Sequence, residues 1–352
     1  PEHIKQAGIR AIETNKTKYT PASGLLDLKK AVCHRLLEDY QLDYRPEQIV
    51  VASGAKHAVY LTLLVLCDPG DEVVIAAPYW VSYSEMVQQA GAIPVIVTAG
   101  EEQAFKITAE QLEAAITPKT KVFMLNSPSN PTGMVYSREE LEAIAAVCLR
   151  HNIYIIADDI YSNLVYDGLP YCSIASLGED VKRHCIVING VSKSYAMTGW
   201  RIGYSAAEPE IARAMSNYVS HSTSAPSTIS QYAAIEALNG PQDEIAAMRE
   251  AFQARRDHLV ARMNEIDGVS CMKPQGAFYV MMNMKSFIGK TMYGQVIHDD
   301  NDFAKLFLEK GLVATVPCSA FAAPGFIRWS YATSMQEIDK GLDRLEAFIK
   351  NA

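Results

Sequence analysis

The sequence predicts an α/β fold, a mostly parallel sheet flanked by helices and joined to a smaller domain. Three observations point to it. Short apolar runs such as KVFMLN (121–126), IYIIAD (153–158) and CIVI (185–188) alternate with amphipathic helical stretches, the pattern of buried strands joined by helices. Asn130, Asp158 and Lys193 all fall at or just past the ends of such runs, and ligands of open α/β sheets bind at that carboxyl edge. A chain of 352 residues also exceeds the usual size of one core, so a large domain plus a smaller one is expected.

Composition narrows the function. Apolar residues make up 49%, charged residues 20%, and the net charge is −8 without any basic cluster. A nucleic-acid or membrane partner is not expected, although a small anion can still meet a local basic pocket. The longest apolar run, AVYLTLLVLC (58–67), is about half of a membrane span and ends at Asp68, Pro69 and Gly70, so it reads as a buried helix. Seven scattered cysteines without a CxxC spacing suit reduced thiols in a cytoplasmic protein. HDDND (298–302) is the most metal-like string, but it precedes FAKLFLEKG and reads as a helix cap, so no metal is expected.

Taken in order, residues 1–13 predict a helix with Ile4, Ala7 and Ile12 inward, and 25–40 a second after the turn-rich TKYTPASG (17–24). QIVVASGAKHAVYLTLLVL (48–66) predicts strand, tight turn and helix, in which Gly54, Ala55 and Lys56 form an anion cradle at the helix N-terminus. DEVVIAAPYWVSYSEMVQQAG (71–91) predicts a strand, then Trp80 placed where an aromatic can stack on a flat ring, then a helix. Strands at 92–99 and 121–126 bracket a helix at 107–120, and the proline-rich NSPSNPTG (126–133) follows as a rigid turn. Ser137 with Glu140 makes a capping box for a helix to 152. Residues 153–168 run from a strand into Asp158, Asp159 and Tyr161. CIVI, then a loop bearing Ser192 and Lys193, then WRIGY (200–204) predict strand, loop, strand. A lysine attacks carbonyls near neutral pH only when burial or a neighbouring cation favours its neutral amine, and Arg201 is such a cation. Beyond helices at 208–221, 224–238 and 241–268, strands within 269–284 and 311–334 flank a helix at 302–310, and 335–350 closes the chain. Arg328 sits mid-strand, a poor place for an unpaired cation unless an anion meets it.

The serine-lysine pair followed by MTGWRIGY, together with NSPSNPTG and ADDIY, resembles the class I aminotransferases, which use pyridoxal 5'-phosphate, and most of all their bacterial aspartate aminotransferase subgroup. The resemblance covers nearly the whole chain. It implies a seven-stranded, aspartate aminotransferase-like large domain at 1–243, a small α+β domain at 244–352, and some thirty residues ahead of Pro1. Lys193 would hold the cofactor as an internal Schiff base and move the proton at Cα. Asp158 would keep the pyridine nitrogen protonated, and Tyr161 and Asn130 would contact O3′. Trp80 would stack on the ring. Gly54, Ala55, Lys56, Ser192 and Arg201 would hold the phosphate, joined across a homodimer interface by the partner's copy of Tyr19. Arg328 would clamp the substrate α-carboxylate, with Asn130 and Trp80 beside it. Asp159 stands where relatives often have Glu, and Cys318 replaces a glycine usual after Pro317.

The expected activity is transamination between an L-amino acid, aspartate foremost, and 2-oxoglutarate. His221, near the partner's site mouth by resemblance, is a candidate for the distal carboxylate. Transfer from aromatic or other amino acids, β-elimination at a C–S bond, and a non-catalytic cofactor-binding regulatory domain are the alternatives.

Overall fold

The computed structural model describes residues 1–352. Helices α1 (Glu2–Glu13) and α2 (Leu26–Tyr40) lead into strand β1 (Ile49–Ala52), which turns tightly into α3 (Ala55–Leu66). The strand-helix alternation continues through β2 (Glu72–Ala77), α4 (Ser82–Gln89), β3 (Ile93–Thr98), α5 (Ala109–Ala115), β4 (Thr120–Asn126) and α6 (Arg138–Arg150). Then come β5 (Tyr154–Asp158), α7 (Glu179–His184), β6 (Cys185–Gly190), β7 (Gly203–Ala206), α8 (Pro209–His221) and α9 (Thr228–Asn239). The seven strands form one sheet in the order β1-β7-β6-β5-β4-β2-β3. Only β7 runs against the others.

Strand alternation fills two cores. Val51, Phe123, Ile155 and Val187 face one side with α2, α6 and α9, while Val50, Val122, Ile156 and Ile186 face the other with α3, α4 and α8. Both faces are covered, so these strands read as unbroken apolar runs. The edge strand β3 differs: Ile93 and Ile96 are exposed and Pro94 interrupts its donors, a protection typical of sheet edges.

The long helix α10 (Asp243–Met263) leaves this body, with Ile245 in a core of the large sheet and Leu259 and Met263 in a third core. That third core lies under a four-stranded antiparallel sheet. Its strands are β8 (Ser270–Cys271), β9 (Tyr279–Asn283), β12 (Val316–Pro317) and β13 (Phe326–Ser330), ordered β12-β13-β9-β8. The small hairpin of β10 (Thr291–Met292) and β11 (Gln295–Val296), α11 (Asp300–Leu306) and α12 (Met335–Lys350) complete the chain. Asp299 caps α11 by accepting from the Asp302 amide, so HDDND is a helix start as its sequence implies.

Several boundaries depart from those expected of the sequence. WRIGY is not a strand from Trp200: a short 3-10 turn covers Thr198–Trp200, Arg201 takes a left-handed φ of 56°, and β7 begins only at Gly203. Two guanidinium hydrogen bonds, to the carbonyls of Thr198 and Ser53, hold that turn. In α1 the inward face is Ile4, Ala7, Gly8 and Ala11, and Ile12 points to solvent, because Gly8 lets the helix settle onto Trp200. The expected helix at 107–120 shortens to α5, which stops before Pro118 as the residue preceding a proline disfavours helix.

β7 packs against the start of α3 with no room to spare. A Cβ on Gly203 would come within 2.2 Å of the Ala55 amide nitrogen. Gly203→Ala is expected to lower stability by roughly 1–3 kcal/mol through overpacking, seen as a lower urea midpoint at unchanged slope. An unchanged midpoint would show that the helix start yields freely.

Candidate active site

Three adjacent strands of the large sheet end together. β4 and β5 pair in register Asn126↔Asp158, and Asp158 pairs with Ile188 of β6. The Asn126 side chain fixes the turn beyond β4, donating to the Asp158 carbonyl (2.8 Å) and accepting from the Asn130 amide (2.9 Å). Asn130 is thereby held beside Asp158, and the turn after β6 brings Lys193 to the same place.

These residues line a cavity of about 320 Å³. Of the residues singled out in the sequence, Ala55, Lys56, Trp80, Asn130 and Asp158 lie on its wall, as do Tyr161, Ser192, Lys193, Arg201 and Arg328. Three do not. Gly54 caps α3 from behind Arg201, Tyr19 is 99% exposed on the loop between α1 and α2, and His221 is exposed at the end of α8.

Lys193 and Asp158 set the electrostatics. Burial pulls the Lys193 ammonium below the ordinary lysine range; the Asp158 charge opposes this, and Arg201 and Arg328 reinforce it. Its Nζ lies 5.2 Å from the Phe278 ring centroid and 5.7 Å from that of Tyr161. Burial raises the Asp158 carboxyl to about 6, against a hydrogen bond from the Tyr83 hydroxyl (2.6 Å), one from the Ile160 amide and the charge of Lys193. Asp159, its neighbour, turns to the opposite side and accepts from Ser173 Oγ at 2.7 Å; burial lifts it to about 7.

Arg328 enters from β13 of the small sheet. Its guanidinium lies between the rings of Tyr279 (4.5 Å) and Phe321 (4.8 Å) and donates to Asn130 Oδ1 at 2.8 Å. A strand cation of this kind has an anion-binding face open to the cavity.

Several wall residues are not evident from the sequence. Tyr83 bonds Asp158, Tyr279 pairs its hydroxyl with that of Tyr161 at 3.0 Å, and Asn126, Ile160 and Thr198 complete the lining. Tyr83 had a signal, its place in the first turn of α4 three residues after Trp80. Tyr279 had none, since its partner lies 118 residues away.

The donor set can be tested against a flat, phosphorylated heterocycle. At one end the first amides of α3, which have no preceding turn to bond, meet Ser192 and Arg201. A Cβ at Gly54, whose φ is +88°, would lie 2.2 Å from the Arg201 guanidinium, so glycine there is what lets that cation reach the helix start. Trp80 supplies an aromatic plate, with Lys56 Nζ 4.7 Å from its centroid. Tyr161 and Asn130 offer hydrogen-bonding groups along one edge, and the buried Asp158 offers an acceptor suited to a protonated ring nitrogen. The residues present fit such a group.

Comparison with known proteins agrees. Residues 1–345 match the family model described as aminotransferase class I and II. The chain is 49% identical to an aspartate aminotransferase of Bacillus sp. (strain YM-2) over 350 residues, 99% of this chain and 88% of that relative. It is 48% identical, over the same shares, to the aspartate/prephenate aminotransferase of Cereibacter sphaeroides. The crystal structure of the Rhizobium meliloti aspartate aminotransferase superposes with a TM-score of 0.97 at 44% identity, covering all of this chain and 88% of that one. By its sequence over nearly its full length and by its fold, the chain belongs to the class I and II aminotransferases.

Proposed function

We propose that the protein transfers the amino group of L-aspartate to 2-oxoglutarate with pyridoxal 5'-phosphate held in the cavity at the carboxyl edge of the large sheet. The observation that carries this reading is the convergence of a desolvated amine, a buried carboxylate and an anion-binding guanidinium, Lys193, Asp158 and Arg328, on one cavity wall. The names of the relatives support the substrate. We place the large domain at 1–243 and the small one at 244–352, a division supported by the separate cores that α10 spans.

The phosphate would lie on the Gly54 to Lys56 helix start with Ser192 and Arg201, the ring against Trp80, its nitrogen on Asp158, and its phenolic oxygen near Tyr161 and Asn130. When bound, pyridoxal phosphate supplies an aldehyde that condenses with amines and a ring that withdraws electrons from Cα. Lys193 would hold the group through its amine and would take the proton from the substrate Cα and return it as general acid/base. Burial shifts that amine towards the neutral form a base requires. Arg328 binds the α-carboxylate, oriented by Asn130, and so presents the Cα–H bond to Lys193. Asp158 would hold a cationic ring nitrogen, whose charge would favour the ionised carboxylate in place of the water that burial removed.

We further propose a homodimer with shared sites, in which Tyr19 reaches the partner's phosphate. The nearly full exposure of Tyr19 and the partial exposure of the apolar Ile9, Ile12 and Leu26 on the flanking helices support this. Seven unpaired cysteines fit a cytoplasmic, reducing compartment, and no helix is long and apolar enough to cross a membrane.

A dicarboxylate substrate needs a further cation. Among the cavity's cations, Lys193, Arg201 and Arg328 already have tasks, which leaves the Lys56 ammonium within the protomer, its backbone amide being the part that serves the phosphate cradle. His221 stands outside the cavity and would serve only the partner's site. With a panel of amino donors and 2-oxoglutarate, keto-acid formation should be fastest from aspartate. Lys56→Gln should lower kcat/KM for aspartate roughly tenfold more than for alanine, and a smaller selective loss is expected for His221→Ala. Wild-type preference for aromatic donors would overturn the substrate.

Lys193→Ala should leave no borohydride-fixable bond between protein and cofactor, checked by mass spectrometry, and slow proton transfer by roughly 10²–10⁴-fold. Fixation at another lysine would refute the assignment. Asp158→Asn separates stability from catalysis. Its carboxyl titrates near 6 in the fold against a usual 3.8, so the cost of ionising it in the cofactor-free protein grows as pH rises from about 4 to about 6 and is complete above that. The cofactor-free Asp158→Asn protein should therefore melt no lower than wild type at pH 8, while turnover of the loaded enzyme falls by orders of magnitude. A marked loss of Tm at pH 8 would contradict the buried-charge account.

A further inference from the structure

We propose that Tyr279 is a positioning residue that ties the substrate-binding arginine to the cofactor-facing tyrosine, acting on Arg328 through its ring and on Tyr161 through its hydroxyl. The inference rests on the proposed cofactor. Tyr279 opens β9, two residues before the register partner of Arg328, Met281. Its ring centroid is 4.5 Å from the guanidinium carbon of Arg328, within cation–π range. Its hydroxyl meets that of Tyr161 at 3.0 Å, and the two rings cross edge to face at 5.9 Å. Tyr279 is buried at the cavity wall.

The arrangement gives one side chain two separable effects. The guanidinium is planar and must keep its plane to grip a carboxylate with two parallel hydrogen bonds. Rings on both sides, Tyr279 and Phe321, hold that plane. The hydroxyl effect is different. Either hydroxyl of the pair can be the donor, but a phenol has one proton, so when Tyr161 donates into the cavity Tyr279 must donate to it, and a phenol that accepts a hydrogen bond becomes a better donor. The groups facing this pair are Asp158 and Lys193 from the large sheet, Tyr83 from α4 and Arg328 from β13. None of them offers Tyr161 a hydrogen bond in place of Tyr279.

Two substitutions divide the effects. Tyr279→Phe keeps the ring and removes the hydroxyl; Tyr279→Leu removes both. In the cofactor-loaded enzyme the visible absorption of the bound group changes with pH, and a weaker donor at Tyr161 leaves more electron density to hold that proton. Its midpoint should rise by about half to one pH unit in both variants. Calorimetric Kd for succinate, a dicarboxylate that cannot react, should stay within about twofold of wild type for Tyr279→Phe and weaken roughly three- to tenfold for Tyr279→Leu. An unmoved midpoint in Tyr279→Phe overturns the hydroxyl role, and equal succinate affinity in both variants overturns the ring role. If wild-type protein acquires no pH-dependent visible band with pyridoxal phosphate, the cofactor reading itself fails, a result distinct from either.

Discussion

Asp158 and Lys193 must share one dry cavity although burial disfavours the charge of each. Desolvation pushes the carboxyl towards its neutral form and the amine towards its own, and each charge partly rescues the other. The surroundings reflect that balance. Asp158 is given two donors of its own, the Tyr83 hydroxyl and the Ile160 amide, whereas the Lys193 amine makes no hydrogen bond within the protein and lies over the Tyr161 and Phe278 rings. Those hydrogen bonds favour the ionised carboxylate against its burial, while the amine has none to hold its proton, the asymmetry that acid/base chemistry at a carbon requires.

Much of this was legible in the sequence, and the reason is the sheet. Parallel strands buried on both faces announce themselves as apolar runs, so the residues just past each run, Asn130, Asp158 and Lys193, could be assigned to one edge without any knowledge of packing. Arg328 was legible for the opposite reason, as a cation where a strand should be apolar. Tyr83, Asn126 and Tyr279 were not, because they matter through partners 75, 32 and 118 residues distant, and local periodicity carries no information about which distant side chain a phenol meets. Arg201 was legible as a residue but not as a backbone state. Its left-handed φ accompanies hydrogen bonds from its own guanidinium to the carbonyls of Thr198 and Ser53.

The two sheets are joined through the segment 275–277 that leads into β9. Gly133 accepts from the amides of Gln275 and Gly276, Ala277 donates to Leu164, and the Gln275 side chain accepts from Val135. A Cβ on Gly276 would lie 2.7 Å from the Leu164 carbonyl and from Pro128, so the backbones meet directly there. Deeper in the joint, the wholly buried Arg256 binds Asp167, Asp257 and the Pro274 carbonyl. A buried cation adds little net stability even when fully paired, but it is intolerant of other arrangements because any loss of partner leaves a desolvated charge. The joint is therefore specific as much as it is strong.

That specificity bears on how substrate and cofactor groups are aligned. Arg328 belongs to the small sheet and Lys193, Asp158 and Tyr161 to the large one, so the distance between carboxylate clamp and proton acceptor is set by how the sheets sit together. Two contacts inside the cavity span them, Arg328 to Asn130 and Tyr279 to Tyr161. An error of an ångström between reacting groups is enough to forfeit much of the benefit of orientation. Contacts made by the functional side chains themselves control that distance more directly than any contact at the periphery. The same residues that bind and react also hold the halves of the site in register, which is why a substitution such as Asn130 to a smaller residue would disturb geometry and binding together.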